Sequence, residues 1–234
     1  MKLRIGIINN QGRLYHVWKL LEKEHKVSFI GKGEYDVLIF GLKQIALADV
    51  EGASCQMIVC GLCSEEVKER YNTLCLLEDE FFLLGNARVT AWGILEILMR
   101  HSDVCLSDLS VDVVGYGRCG KQIMRLLEML QISYRVIVKT MDCVDSHFMH
   151  YEEYVFHQPA DWIIMTIEQC IFDKYWVERF GSLTSIIDIT SGFKGTAAIR
   201  NDNVRVLFGK GLPDIYCCKS GAEVYIDAFM RVLV

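Results

Sequence analysis

The segment Gly115-Tyr116-Gly117-Arg118-Cys119-Gly120 constrains this chain more than any other. It fits G-x-G-x-x-G, a weak pattern alone, but its flanks give it weight. Val111-Asp112-Val113-Val114 reads as a strand directly before it, and Lys121–Leu130 as an amphipathic helix directly after. In that setting each glycine has a purpose. Gly115 permits the tight turn, Gly117 lets the backbone approach a pyrophosphate, and Gly120 lets helix and strand pack closely. The helix N-terminus then offers N–H groups and a partial positive charge to phosphates. The alternative is a glycine-rich βα turn that binds nothing.

The remaining pattern repeats the strand–helix rhythm. Lys2–Ile8, Lys26–Ile30, Asp36–Phe40 and Gln56–Cys60 read as strands, and Leu14, Val17, Trp18, Leu20 and Leu21 recur at helical spacing. After a charged break at Glu78-Asp79-Glu80 come a helix at Val89–Met99 and a second series. That series holds strands at Arg135–Val138, Trp162–Met165, Ile186–Ile189 and Val204–Phe208. The expected fold is α/β: two doubly wound parallel-sheet units, the second a Rossmann dinucleotide-binding domain, joined by a crossover helix. The expected boundaries are 1–85 for the front domain, 86–103 for the crossover helix and 104–216 for the Rossmann domain. A C-terminal helix, 217–234, returns to the front domain.

Composition narrows the partners. Thirty acidic against twenty-five basic side chains give a net charge of -5, with no Lys/Arg block for a phosphate backbone, so nucleic acid is not expected. The most hydrophobic stretch, Phe81–Leu98, is interrupted by Asn86, Arg88 and Glu96, short of the roughly 18 apolar residues of a membrane helix. Met1–Ile8 reads as a strand rather than a leader, and ten cysteines without regular spacing read as reduced thiols. A cytoplasmic setting follows as an expectation.

Cofactor choice turns on the end of the second Rossmann strand, where NAD-binding domains place an acid for the ribose 2′-OH. Lys139 and Thr140 stand there, and Asp142 comes a little late. A cation and a hydroxyl suit a 2′-phosphate, which favours NADP over NAD.

These residues also carry a family resemblance. Asn86-Ala87-Arg88-Val89-Thr90-Ala91-Trp92-Gly93, the Gly115–Gly120 turn and Thr166-Ile167 resemble segments of the dinucleotide-binding component of dipicolinate synthase. So do Asp188-Ile189-Thr190-Ser191, Gly195-Thr196 and Gly211-Leu212-Pro213 with Ile215 and Lys219. The likeness is best over 86–230. It implies an NADP-dependent oxidoreductase acting on a small carboxylated dihydropyridine-type substrate, alongside a second synthase component. Thr166, Thr190 and Ser191 would lie near the nicotinamide, with Asn86, Thr90 and Ser191 around the substrate and Lys219 as the catalytic amine. Gly192-Phe193 replaces the family's Arg-Pro pair, and Trp92 stands where an acid is expected. The alternative is a non-catalytic NAD(P)-binding protein with a regulatory or partner role. D-2-hydroxyacid dehydrogenase chemistry is not expected, because no histidine follows His157.

Other candidates carry a plainer reading. Cys60-Gly61-Leu62-Cys63 lacks a second ligand pair, and Cys55 and Cys75 stand at no characteristic spacing from it, so no metal is expected there; Cys217-Cys218 reads as buried packing. His147, His150 and His157 read as a solvated helix on the sheet's outer face, and Met141, Met149 and Met165 as core. The apolar Val89–Met99 helix, with Trp92, predicts a homodimer.

Overall fold

A computed structural model describes residues 2–140, 146–199 and 204–233. The chain divides into two compact units, Met1–Val89 with Pro213–Val234, and Thr90–Leu212.

The first unit carries a parallel sheet of β1 (Arg4–Ile7), β2 (Lys26–Phe29), β3 (Val37–Ile39), β4 (Met57–Cys60) and β5 (Asn72–Cys75). Its order is β2-β1-β3-β4-β5, one of the two common doubly wound arrangements. Because successive side chains alternate faces, each strand feeds two cores. Ile5, Ile7, Val37, Ile39 and Val59 face one way, onto α1 (Arg13–Leu21) and α8 (Cys218–Leu233). Leu38, Ile58, Cys60 and Cys75 face the other, where Val67 of α2 (Glu65–Arg70) closes the cluster. The C-terminal helix thus completes the first unit's core through Tyr225 and Phe229.

The helix α3 (Glu80–His101) begins six residues before the expected 86 and ends at 101 rather than 103. The acidic triplet read as a break is its cap: Asp79 Oδ1 accepts the Phe82 N–H at 2.7 Å. Over an 18-residue window this helix is apolar enough to cross a membrane by length and composition, yet 56% of that window is buried inside the protein. That is how a core helix behaves. Strand β5 has no counterpart in the sequence reading. It is four residues long and opens on Asn72-Thr73, so only pairing with β4 defines it.

The second unit is a six-stranded parallel sheet: β6 (Ser110–Val114), β7 (Ser133–Val138), β8 (Phe148–His150), β9 (Trp162–Met165), β10 (Ser185–Asp188) and β11 (Arg205–Phe208). The order β8-β7-β6-β9-β10-β11 is the Rossmann order 3-2-1-4-5-6. Helix α4 (Arg118–Met129) buries Ile123, Leu126 and Leu127 against β6 and β7. On another part of the core, Trp176, Val177 and Phe180 of α6 (Lys174–Phe180) join Tyr154 of the one-turn helix α5 (Tyr151–Tyr154).

The histidine stretch differs from expectation. Residues 148–150 form an edge strand, not a helix, and His150 stands at its carboxyl end. The His147 ring stacks on Tyr134 at 4.6 Å, and His157 faces Glu153, so the three do not converge. Met149 and Met165 do pack in the core, whereas Met141 and Asp142 lie outside the described residues. Cys217 is exposed rather than buried, and Cys218 Sγ donates to the Asp214 carbonyl at 3.1 Å.

Candidate functional site

The three fingerprint glycines have three different geometric reasons. Gly115, at φ +104°, follows β6, and a Cβ there would lie 2.4 Å from Thr166 Oγ1. Thr166, just past β9, donates its hydroxyl to the Val114 carbonyl at 2.8 Å, stitching the two strand ends together. A Cβ on Gly120 would lie 2.2 Å from the Gly115 carbonyl oxygen, so α4 approaches the turn as only glycine allows. Gly117 is the N-cap of α4, with no side chain to cap it, and a Cβ there meets nothing within 4 Å. The space over Gly117 is open, as a pyrophosphate requires. The residues therefore fit a dinucleotide.

Beside this turn lies a cavity of about 450 Å³ between the ends of β6 and β7. Tyr116 meets Phe148 edge-on at 4.9 Å, and Lys121 Nζ stands 4.9 Å from the Tyr116 ring centroid. Lys139 and Thr140 are exposed at its rim. The His150 ring nitrogen bonds the Lys139 carbonyl at 2.6 Å, which fixes that end of β7. Arg118 is exposed on the first turn of α4. Burial pushes the neighbouring Cys119 thiol up, only partly offset by Arg118, so it stays protonated.

Past β10 the buried Asp188 organises the next loop. Its Oδ1 accepts the Thr190 N–H (2.8 Å) and hydroxyl (2.6 Å), and its Oδ2 the Thr196 N–H (2.8 Å) and hydroxyl (2.7 Å). The Thr190 hydroxyl in turn accepts the Gly195 N–H at 3.0 Å. Thr190 was expected beside a nicotinamide, but its side chain is committed inward to the loop. Ser191 stays exposed, and Phe193 packs on Phe208 at 4.4 Å between ring centroids. Sequence reasoning noted the Asp-x-Thr segment and missed that the acid is the hub.

Two expected site residues belong to the first unit, and a third begins the second. Asn86 Oδ1 accepts from Arg13 Nη1 at 3.0 Å. Thr90, the first residue of the second unit, is buried. Lys219 is exposed in the first turn of α8, so it belongs with the first unit and not to the edge of β11. Arg13, absent from the sequence reading, is 2% exposed and paired at 2.6 Å with Asp214 of the one-turn helix α7 (Leu212–Ile215). It lines a cavity of about 460 Å³ beyond the carboxyl ends of β1 and β3, together with Gly41, Lys43 and Asp214. That is the switch point of a 2-1-3-4-5 sheet. A helix N-terminus disfavours a cation, so Arg13 at the start of α1 was the readable hint of a nearby acid.

No family model matches the chain, and no curated protein matches it in sequence. Solved structures do match in fold. A component of dipicolinate synthase from Bacillus halodurans superposes with a TM-score of 0.79 at 16% identity, covering 99% of this chain and 97% of that one. The corresponding dipicolinate synthase chain from Bacillus subtilis gives 0.77 at 17%, covering 100% and 96%. The NAD+-bound 3-phosphoglycerate dehydrogenase of Entamoeba histolytica gives 0.61 at 12%, covering 99% and 94%. The likeness to dipicolinate synthase thus takes in the first 85 residues as well. It shows a shared fold.

Proposed function

We propose that this chain is an NADP-dependent oxidoreductase that oxidises a small carboxylated substrate, of the dihydropyridine type that its likeness to dipicolinate synthase suggests. One observation carries the reading: the open space over Gly117, between two glycines that close contacts make obligatory. In this reading the N-terminus of α4 holds the pyrophosphate, Tyr116 and Phe148 wall the adenosine side, and Lys139 with Thr140 takes the 2′-phosphate. The bound nicotinamide would supply the hydride acceptor. Thr166 and the Asp188-held loop shape the carboxyl edge of the second sheet. Lys219, exposed and without an ion-pair partner among the described residues, offers a side chain suited to a carboxylate. A cytoplasmic setting goes with unpaired thiols.

Lys139→Asp tests the cofactor. Losing a charge-assisted contact costs about 1.5–3 kcal/mol, so preference should move from NADP towards NAD by roughly tenfold to a hundredfold. Titration of both nucleotides reads it, and an unchanged ratio means that Lys139 serves solvent alone.

The committed Thr190 hydroxyl favours a second reading, a non-catalytic NAD(P)-binding protein. Tight NADP binding without turnover of any pyridine-dicarboxylate precursor selects it. Both readings include a homodimer, with Trp92 and Met99 of α3 left 42% and 62% exposed for a second copy. Light scattering should return twice the chain's 26.8 kDa, and a monomer at micromolar concentration removes the dimer.

A further inference from the structure

Cys60-Gly61-Leu62-Cys63 has no further ligand at a characteristic spacing in sequence, and folding brings Cys75 to it. Cys60 ends β4 and Cys75 ends β5, and the two are register partners on adjacent parallel strands, so their side chains leave the sheet on the same face. Cys63 comes back to them after Gly61, where a Cβ would stand 2.2 Å from the Leu42 carbonyl oxygen. Its own two-residue strand, Leu62–Cys63, is held against Gln44–Ile45. The three sulfurs lie within 4.8 Å of one another, and Cys63 Sγ is 3.3 Å from Cys75 Sγ.

Their setting is closed and apolar. Cys60, Cys63 and Cys75 are 0%, 9% and 7% exposed, among Ile45, Ile58 and Val67.

We infer that Cys60, Cys63 and Cys75 form a three-sulfur site for a thiophilic d10 cation. Soft thiolates select Cu(I) or Zn(II) over hard ions. Binding exchanges three S–H bonds for three metal–sulfur bonds and releases three protons. No fourth Cys, His, Asp or Glu converges on the sulfurs among the described residues, which suits trigonal Cu(I), or Zn(II) completed by one water. The site belongs to the first unit and the dinucleotide turn to the second, so it is independent of the oxidoreductase reading.

The test uses the full chain, reduced and stripped of metal, titrated with Cd(II) under argon while the ultraviolet sulfur-to-metal band is followed. One tight equivalent should bind, and the melting temperature should rise with it. Cys63→Ser and Cys75→Ser should each remove about a third of the band and weaken binding at least tenfold. Cys105→Ser and Cys217→Ser, at exposed thiols, should change neither. Competition by Zn(II) and by Cu(I) then tells the two natural sources apart. Circular dichroism checks that each variant folds, and Cys75→Ala replaces any serine variant that does not. Failure of the wild type to take up an equivalent overturns the inference. So does a band that survives in folded Cys63→Ser and Cys75→Ser, or one that vanishes with the exposed thiols. Loss of NADP binding elsewhere in the chain would leave this result standing.

Discussion

Asp188→Ala should cost the second unit about 3–5 kcal/mol, a large share of the roughly 5–15 kcal/mol that holds a domain together. The carboxylate is fully buried and accepts four hydrogen bonds, from the backbone and hydroxyl of both Thr190 and Thr196. Hydrogen bonds to a charged group contribute about 1.5–3 kcal/mol each, but four that share one acceptor do not add. Removing it strands two N–H groups and two hydroxyls inside the protein. Asp188→Asn should cost less, because its amide oxygen still serves one threonine while its NH2 opposes the donors of the other. Urea unfolding monitored by Trp fluorescence measures both. A loss below about 1 kcal/mol for the alanine variant would mean that Phe193 on Phe208 holds the loop instead.

The second unit's sheet was legible because its strands are nearly continuous apolar runs. Trp162-Ile163-Ile164-Met165 and Val111-Asp112-Val113-Val114 are buried on both faces, as a parallel sheet demands. Asp112 breaks that run, and its meaning is tertiary: it accepts two hydrogen bonds from Arg135 and one from Tyr154. What the sequence hid shares one cause, that side-chain direction is set by the folded loop or sheet and not by residue type. Thr190 was rightly placed past β10, but its rotamer follows Asp188. Cys75 stands at no characteristic spacing from Cys60 in the chain, and only the pairing of β5 with β4 brings the two together. The start of α3 was different, since Asp79, standing just before the apolar run from Phe81, carried a readable cap.

Gly117→Val should abolish NADP(H) binding while leaving the free protein folded, and the contrast with Gly120→Ala makes the result diagnostic. At position 117 the backbone sits at φ -78°, ψ -163°, which valine adopts without strain, and a Cβ meets no atom within 4 Å. The free protein should lose only about 1 kcal/mol, the difference between glycine and valine at an N-cap. The branched side chain would then fill the space through which a pyrophosphate reaches the N–H groups of α4. The wild type at a hundredfold excess over Kd gains about 2.7 kcal/mol, seen as a higher melting temperature, and the variant should show no shift. Gly120→Ala works in the opposite order. Its Cβ would meet the Gly115 carbonyl at 2.2 Å, a backbone atom with little room to move, so the free protein itself should melt earlier. A Gly117→Val protein that binds NADP as tightly as wild type would show that the turn serves packing alone. The strand–turn–helix would then be a fold element without a ligand.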